Sequence, residues 1–193
     1  MRFLCLLLYF LSVSGTLSAQ QWQPKTWLSI ETNTSPLIFG GYAIGLTIQP
    51  RPLQHWSILI GQAGHVDFPA WVVTIFRPQN KDTGLDWRVQ RARVLSIDYF
   101  LSEKRRGWYF GQFNFFFNNQ IQNDNQVIEL TTHIPMLRLG YRWFPFDFGY
   151  LYLSPWMGLG TEYRLSGESQ IVEAEWATTK LHYFLSVNAG IRF

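Results

Sequence analysis

Residues Leu181–Phe193 read LHYFLSVNAGIRF, and the fold can be worked out from this stretch. Every second residue is apolar or aromatic, and the residues between them are mostly small or polar. The apolar set consists of Leu181, Tyr183, Leu185, Val187, Ala189, Ile191 and Phe193. A period of two indicates a β-strand with two different faces. An apolar face with aromatics near both ends is typical of a strand that spans a bilayer.

The composition of the whole chain agrees with a wall of such strands. Of its 193 residues, 15% are charged and 18% are aromatic, an unusual combination for a soluble protein. Membrane-spanning strands produce it, because each lipid-facing apolar residue is followed by one that faces the other way. The formal net charge of +3 gives little electrostatic support for nucleic-acid binding, so we expect no nucleic-acid partner.

The first residues have the features of a secretory signal. Arg2 is followed by the apolar run Phe3–Val13 and then by small residues. That run is short for a membrane helix, which needs about 20 apolar residues. We therefore predict a signal peptide at Met1–Ala19 and a mature barrel at Gln20–Phe193. The single cysteine, Cys5, leaves with the signal, so we expect no disulfide and no cysteine-based metal site. We also expect no cofactor.

The mature sequence contains eight alternating runs and no continuous apolar segment long enough for a membrane helix. The runs are Trp27–Asn33, Gly41–Gln49, His55–Val66, Arg88–Leu101, Trp108–Asn119, His133–Phe144, Tyr150–Leu165 and Leu181–Phe193. Connections after the second, fourth and sixth runs are short, and those after the third, fifth and seventh are longer. Short periplasmic turns and long extracellular loops alternate in this way in outer-membrane barrels. We predict an all-β, eight-stranded antiparallel up-and-down transmembrane β-barrel with both termini in the periplasm.

Several of these stretches carry a family resemblance. They are Thr26–Asn33, Asp98–Phe113, Leu139–Phe146, Leu151–Tyr163 and the final Arg192–Phe193. Together they resemble the small eight-stranded outer-membrane barrels of the OmpA type, and above all the Bacteroidota barrel families whose function is unassigned. The resemblance implies the outer membrane of a Gram-negative bacterium and supplies no catalytic residue. It also implies that Phe193 is the signal read by the barrel assembly machinery.

Charged residues fall on the inward face of the predicted strands. They are Glu31, Asp98, Arg138, Arg142, Glu162, Arg164 and Arg192. An arginine on the lipid face would destabilise the barrel by about 2–4 kcal/mol at the bilayer midplane, so the inward assignment is also the one of lower free energy. We predict an interior charge network, with Glu31 and Arg138 as partners near mid-strand, that fills the lumen with polar side chains and blocks free diffusion.

Two further arginines, Arg91 and Arg93, fall on the lipid-facing side near the outer end of the fourth strand. They either meet lipopolysaccharide phosphates or extend to the membrane rim. The loop Asp67–Trp87 contains the apolar stretch Trp71–Phe76, which is unusual for exposed chain. It extends the neighbouring strands, closes over the mouth or contacts a partner.

Catalytic and metal chemistry find little support in the sequence. Lipid A deacylases and acyltransferases occur among small outer-membrane barrels, and such enzymes need a serine near a histidine and a carboxylate. One histidine is followed two residues later by serine, in His55-Trp56-Ser57, but no Asp or Glu lies near that pair in the sequence, and the histidines lack metal-ligand spacing. We therefore assign no catalytic residue and no metal ligand. We predict a structural or surface-binding role, with outer-membrane lipid, lipopolysaccharide and an unknown extracellular ligand as partners. The alternatives are a lipid-A-modifying enzyme and a narrow pore.

Overall fold

The computed structural model describes residues 26–77, 80, 85–102, 105–122, 126–146, 150–168, 170–171 and 174–193. The predicted signal peptide, Met1–Ala19, lies outside these residues. The long strands are β1 (Thr26–Asn33), β2 (Tyr42–Pro50), β3 (Trp56–Phe68), β4 (Asp86–Phe100), β5 (Gly107–Gln122), β6 (Val127–Arg142), β7 (Leu151–Gly160) and β11 (His182–Arg192). The short elements are α1 (Thr34–Ile38), α2 (Ala70–Phe76), β8 (Tyr163–Gly167), β9 (Gln170–Ile171) and β10 (Ala174–Glu175).

The strands form a closed antiparallel ring. Each strand from β1 to β5 pairs with the next strand in the sequence. Strand β7 pairs with β11, and β11 pairs with β1, which closes the ring. Both β7 and β8 pair with β6, so they form one wall of the barrel, interrupted at Thr161 and Glu162. The predicted eight-stranded up-and-down barrel is therefore confirmed. Within the described chain, no helix is long and apolar enough to cross a membrane.

The exterior of the barrel is apolar because each strand alternates as the sequence predicted. Large outward side chains are strongly exposed, with Leu137 at 75% and Leu185 at 74%. Exposed aromatics mark both edges of this belt. One edge carries Trp56, Trp108, Phe110, Tyr141, Trp143, Tyr150 and Phe193, and the other carries Tyr42, Phe116, Tyr163 and Tyr183. A continuous apolar belt between two aromatic girdles is the lipid-facing surface of a transmembrane barrel.

The two ends of the barrel differ in their connections. The turn end carries the short β2–β3, β4–β5 and β6–β7 connections, and the loop end carries α1, α2, the segment after β8 and the β5–β6 connection. The prediction of a longer connection after the fifth strand is wrong, because β5 extends to Gln122 and β6 begins at Val127, and these two residues pair with each other.

The apolar stretch Trp71–Phe76 forms most of α2, which buries Val72 and Val73. The apolar stretch therefore packs over the mouth as a helix, and the neighbouring strands enter the predicted loop only at its two ends, where β3 extends to Phe68 and β4 begins at Asp86.

Two tyrosines on the inner surface pack against glycines of neighbouring strands. Tyr109 pairs directly with Gly140, and Tyr152 pairs with Gly190. A Cβ atom on either glycine would overlap the tyrosine ring. Glycine therefore lets a large aromatic side chain lie flat across the next strand inside a narrow barrel.

Candidate functional site

The floor of the lumen is a buried ion pair between Asp98 and Arg138. Arg138 Nε donates to Asp98 Oδ1 at 2.7 Å, and a second contact joins Nη2 to Oδ2. Asp98 pairs with Gly111 on β5, and Gly111 pairs with Arg138 on β6. Because glycine has no side chain, the carboxylate and the guanidinium meet above it. The Arg138 guanidinium also lies 4.5 Å from the ring centroid of Phe113.

Glu31 is not the ion-pair partner that the sequence suggested for Arg138. Its carboxylate accepts hydrogen bonds from Thr47 Oγ1 and from the Tyr152 hydroxyl, each at 2.9 Å. The pairing by depth along each strand was wrong because it ignored the cross-strand register. Asp98 and Arg138 meet because they belong to one row of paired residues across β4, β5 and β6. The strand order and the register determine which residues share that row.

Arginines close the turn end of the barrel. Arg142 stacks on Phe100 and Tyr152, with centroid distances of 4.7 and 4.4 Å. Arg192 is half-buried and lies 3.8 Å from the Trp27 ring centroid. Arg105, in the connection between β4 and β5, is buried and donates to the Gln49 carbonyl at 3.0 Å. Burial and the charge of Arg142 lower the pKa of Arg105.

A second buried ion pair lies at the loop end. Arg77 Nη1 and Nη2 each donate to Glu162 at 2.7 Å, and the guanidinium lies 4.3 Å from the Trp87 ring centroid. Glu162 also accepts a 3.0 Å hydrogen bond from Thr179 N, and its Oε2 lies 3.3 Å from His182 Nε2. Burial alone would raise the pKa of Glu162, but the hydrogen bonds from His182 and Arg77 and the Arg77 charge hold it well below its usual range. This pair fixes the C-terminal end of α2.

The remaining residues singled out in the sequence lie elsewhere. Arg164 lies on β8 with its side chain exposed, not buried in the barrel interior as predicted. Arg91 and Arg93 are exposed on the outer face of β4. Phe193 is exposed at the turn end, and its backbone N donates to the Leu28 carbonyl at 2.8 Å, which continues the pairing of β11 with β1.

An apolar cavity of about 410 Å³ lies between the floor and the loop-end ion pair. Leu59, Ala63, Val66, Val89, Ala92, Phe113, Phe115, Phe117 and Trp156 line its wall, and Val72 of α2 lies over it. The lumen therefore holds an apolar cavity between two polar layers, and the expectation of a lumen filled with polar side chains is wrong for the part that the cavity occupies. Phenylalanines occur on both faces of β5, so the sequence did not show which row faces inward.

Polar groups at the edge of this cavity hydrogen-bond to one another. Ser35 Oγ lies 2.7 Å from Ser186 Oγ, and Ser186 Oγ donates to Asn33 Oδ1 at 2.8 Å. His182 uses Nε2 on Glu162, and its Nδ1 has no hydrogen-bond partner among the described residues. The part of the chain that the structure describes holds no group of three His, Cys, Asp or Glu side chains suited to a metal ion. The geometry is suited to holding an apolar molecule.

Comparisons with known proteins add little to this geometry. No protein-family model matches the chain, and no curated protein matches it. The chain is similar to a solved structure described as a major outer membrane protein from Thermus thermophilus. The identity is 16%, the TM-score is 0.41, and the similarity covers 87% of this chain and 99% of the other. The class of protein, an eight-stranded barrel with a lipid-facing belt, therefore rests on the coordinates themselves.

Proposed function

We propose that this protein is an outer-membrane barrel that binds an apolar ligand inside its lumen. The observation that carries the proposal is the apolar cavity of about 410 Å³, which lies within the usual size range of small-molecule sites. The buried aromatic and aliphatic walls favour hydrocarbon over water. The Asp98–Arg138 pair and the turn-end arginines obstruct passage through the barrel, which supports binding over conduction.

Filling the cavity tests this proposal. Ala92 is buried and lines the cavity, so we expect Ala92→Phe to occupy the space that a ligand would use. The matched control is Ala189→Phe, which adds the same bulk on the outward face of β11. Native mass spectrometry with dodecanoic acid as the probe is expected to show a one-to-one adduct for the wild type and the control, and at least a tenfold loss for Ala92→Phe. Equal adducts in both variants, or none in the wild type, would contradict it.

We further propose that the loop end faces the outside of the cell. Short turns on the periplasmic side and longer segments outside are the usual arrangement of outer-membrane barrels. Leu53 at the turn end and Val127 at the loop end are both exposed. An impermeant thiol reagent on whole cells is expected to label Val127→Cys, and to label Leu53→Cys only after lysis. The reverse pattern would overturn the orientation.

Arg91 and Arg93 are proposed to contact the phosphates of lipopolysaccharide. Both are exposed on the outer face of β4, on the loop-end side of the apolar residues Leu95 and Ile97. Guanidinium groups form strong charge-assisted hydrogen bonds with phosphate oxygens. We expect the double variant Arg91→Gln/Arg93→Gln to retain several-fold less lipopolysaccharide on purification. Arg51→Gln, an exposed arginine at the turn end, is the control. Equal retention in the two variants would refute the contact.

The role of Phe193 as an assembly signal for the barrel assembly machinery remains a prediction. The C-terminal strand must pair with β1 to close the ring, and Phe193 continues that pairing at its edge. Deletion of Phe193 is expected to lower the amount of folded barrel in the outer-membrane fraction. An unchanged yield would count against this role.

A further inference from the structure

The barrel wall is interrupted on one side of the loop end, above β1. β1 pairs with β11 only as far as the Asn33–Asn188 pair, whereas β11 continues to His182. On its other side, β1 pairs with β2 as far as the Glu31–Gly45 pair. Beyond these pairs, the ends of β2 and β11 face each other across a gap in the strand ladder, which we call the notch.

Helix α1 takes the place of a strand at the base of the notch. Asn33 Oδ1 caps the helix by accepting from Ser35 N at 2.9 Å, and Thr34 Oγ1 donates to the Val187 carbonyl at 3.0 Å. Gly40, with φ of +76°, lets the chain turn back into β2, a conformation that favours glycine. These contacts fix α1 to the edge of β11 but leave the wall without a continuous strand.

The cavity reaches the outer surface through the notch. Ile44 of β2 and Leu185 of β11 both line the cavity, although both side chains point outward and are 59% and 74% exposed. An outward side chain lines a lumenal cavity only where the wall between inside and outside is broken. Ile38 of α1 and Ile75 of α2 also line the cavity and are exposed, so the rim of the opening is apolar.

The height of the notch relative to the membrane follows from the aromatic girdle. Tyr42 stands two residues beyond Ile44 toward the loop end, and Tyr183 stands two residues beyond Leu185. Girdle aromatics lie at the level of the lipid headgroups. Two residues span about 7 Å along a strand. Ile44 and Leu185 therefore lie just inside the hydrocarbon region, where the notch opens onto acyl chains rather than water.

We propose that one acyl chain of a membrane lipid passes sideways through the notch and occupies the cavity. This inference rests on the proposed function and names its ligand class and route. The chain moves from one apolar environment to another, so no polar group has to be desolvated. The Asp98–Arg138 floor limits how far toward the turn end it reaches. The Tyr183 hydroxyl donates to the Ile75 carbonyl at 2.7 Å and holds α2 against β11 beside the opening.

Photo-crosslinking in vesicles tests the route. The probe is phosphatidylcholine with a diazirine at the end of one acyl chain. In the wild type we expect crosslinks on the lumenal residues Phe115 and Trp156, which chains outside an intact wall do not reach. Ile44→Trp adds bulk at the rim and is expected to reduce these crosslinks at least fivefold. Ile60→Trp, on the outward face of β3 and away from the cavity, is expected to leave them unchanged.

The outcomes separate the two proposals. Lumenal crosslinks that persist in Ile44→Trp would overturn passage through the notch. Lumenal crosslinks that are absent with the phospholipid, while dodecanoic acid still binds in a manner sensitive to Ala92→Phe, would also overturn it, and lumenal binding would stand. If neither probe reaches the lumen, both the route and the proposed function fail.

Discussion

Replacing Arg138 with alanine is expected to lower the free energy of unfolding of the barrel by about 3–5 kcal/mol, the usual cost of removing one partner of a buried ion pair. Both side chains of the Asp98–Arg138 pair are almost fully buried. The variant would leave the Asp98 carboxyl buried and without its guanidinium partner. It would also remove the stacking of that guanidinium on Phe113. Urea unfolding in detergent micelles measures the loss, and the temperature of the gel-mobility shift gives a second readout.

A double variant separates the charge from the packing. Asp98→Asn with Arg138→Gln removes both charges together, so the loss should be smaller than the sum of the two single changes. Bilayer conductance provides an independent check, since opening the floor is expected to raise it. The free energy of unfolding of Arg138→Ala could instead lie within about 0.5 kcal/mol of the wild-type value, the usual range for a neutral surface change. That result would show that the ion pair does not stabilise the barrel.

The period of two predicted the barrel because each strand has one face toward lipid and one toward the lumen. Leu137 and Leu139 on β6, for example, alternate with Arg138 and Gly140, and the structure exposes the first two on the outside. What periodicity lacks is register. Asp98 and Arg138 are separated by 40 residues and meet only because Gly111 stands between them in one row. Neither residue carries a local signal that identifies the other.

The loop-end site was harder to predict for a different reason. Helices α1 and α2 have only 5 and 7 residues, which is too short for a helical period to stand out in the sequence. Asn33, Pro36 and Gly40 are the signals that a helix starts and stops here, and these residue types are equally common in turns. Arg77 follows α2 in a long connection, where an arginine is normally solvated, so nothing local indicated its burial against Glu162.

The contact between Arg77 and Glu162 accounts for the second large expected effect. Arg77→Ala would leave Glu162 buried without its bidentate partner, a loss of the same order, about 3–5 kcal/mol. The ion pair attaches α2 over the cavity, so we expect its loss to destabilise the position of α2 and not the pairing of the strands. We therefore expect faster proteolysis around α2 and at least a tenfold faster release of bound dodecanoic acid, with the barrel itself still folded. Limited proteolysis and competition-based dissociation rates measure the two effects.

Arg88→Ala is the matched control, because Arg88 pairs with Asp67 at the same end of the barrel while both side chains stay exposed, at 47% and 62%. An exposed pair of this kind contributes little, so its loss should change neither proteolysis nor release. Acid provides a second comparison. The folded-state pKa of Glu162 is lowered, so its stabilisation is present above the unfolded pKa and is lost as the pH falls through the folded value. Wild-type release should therefore accelerate only in strongly acidic solution. Equal release rates from Arg77→Ala and Arg88→Ala at neutral pH would show that the ion pair does not hold α2 over the cavity.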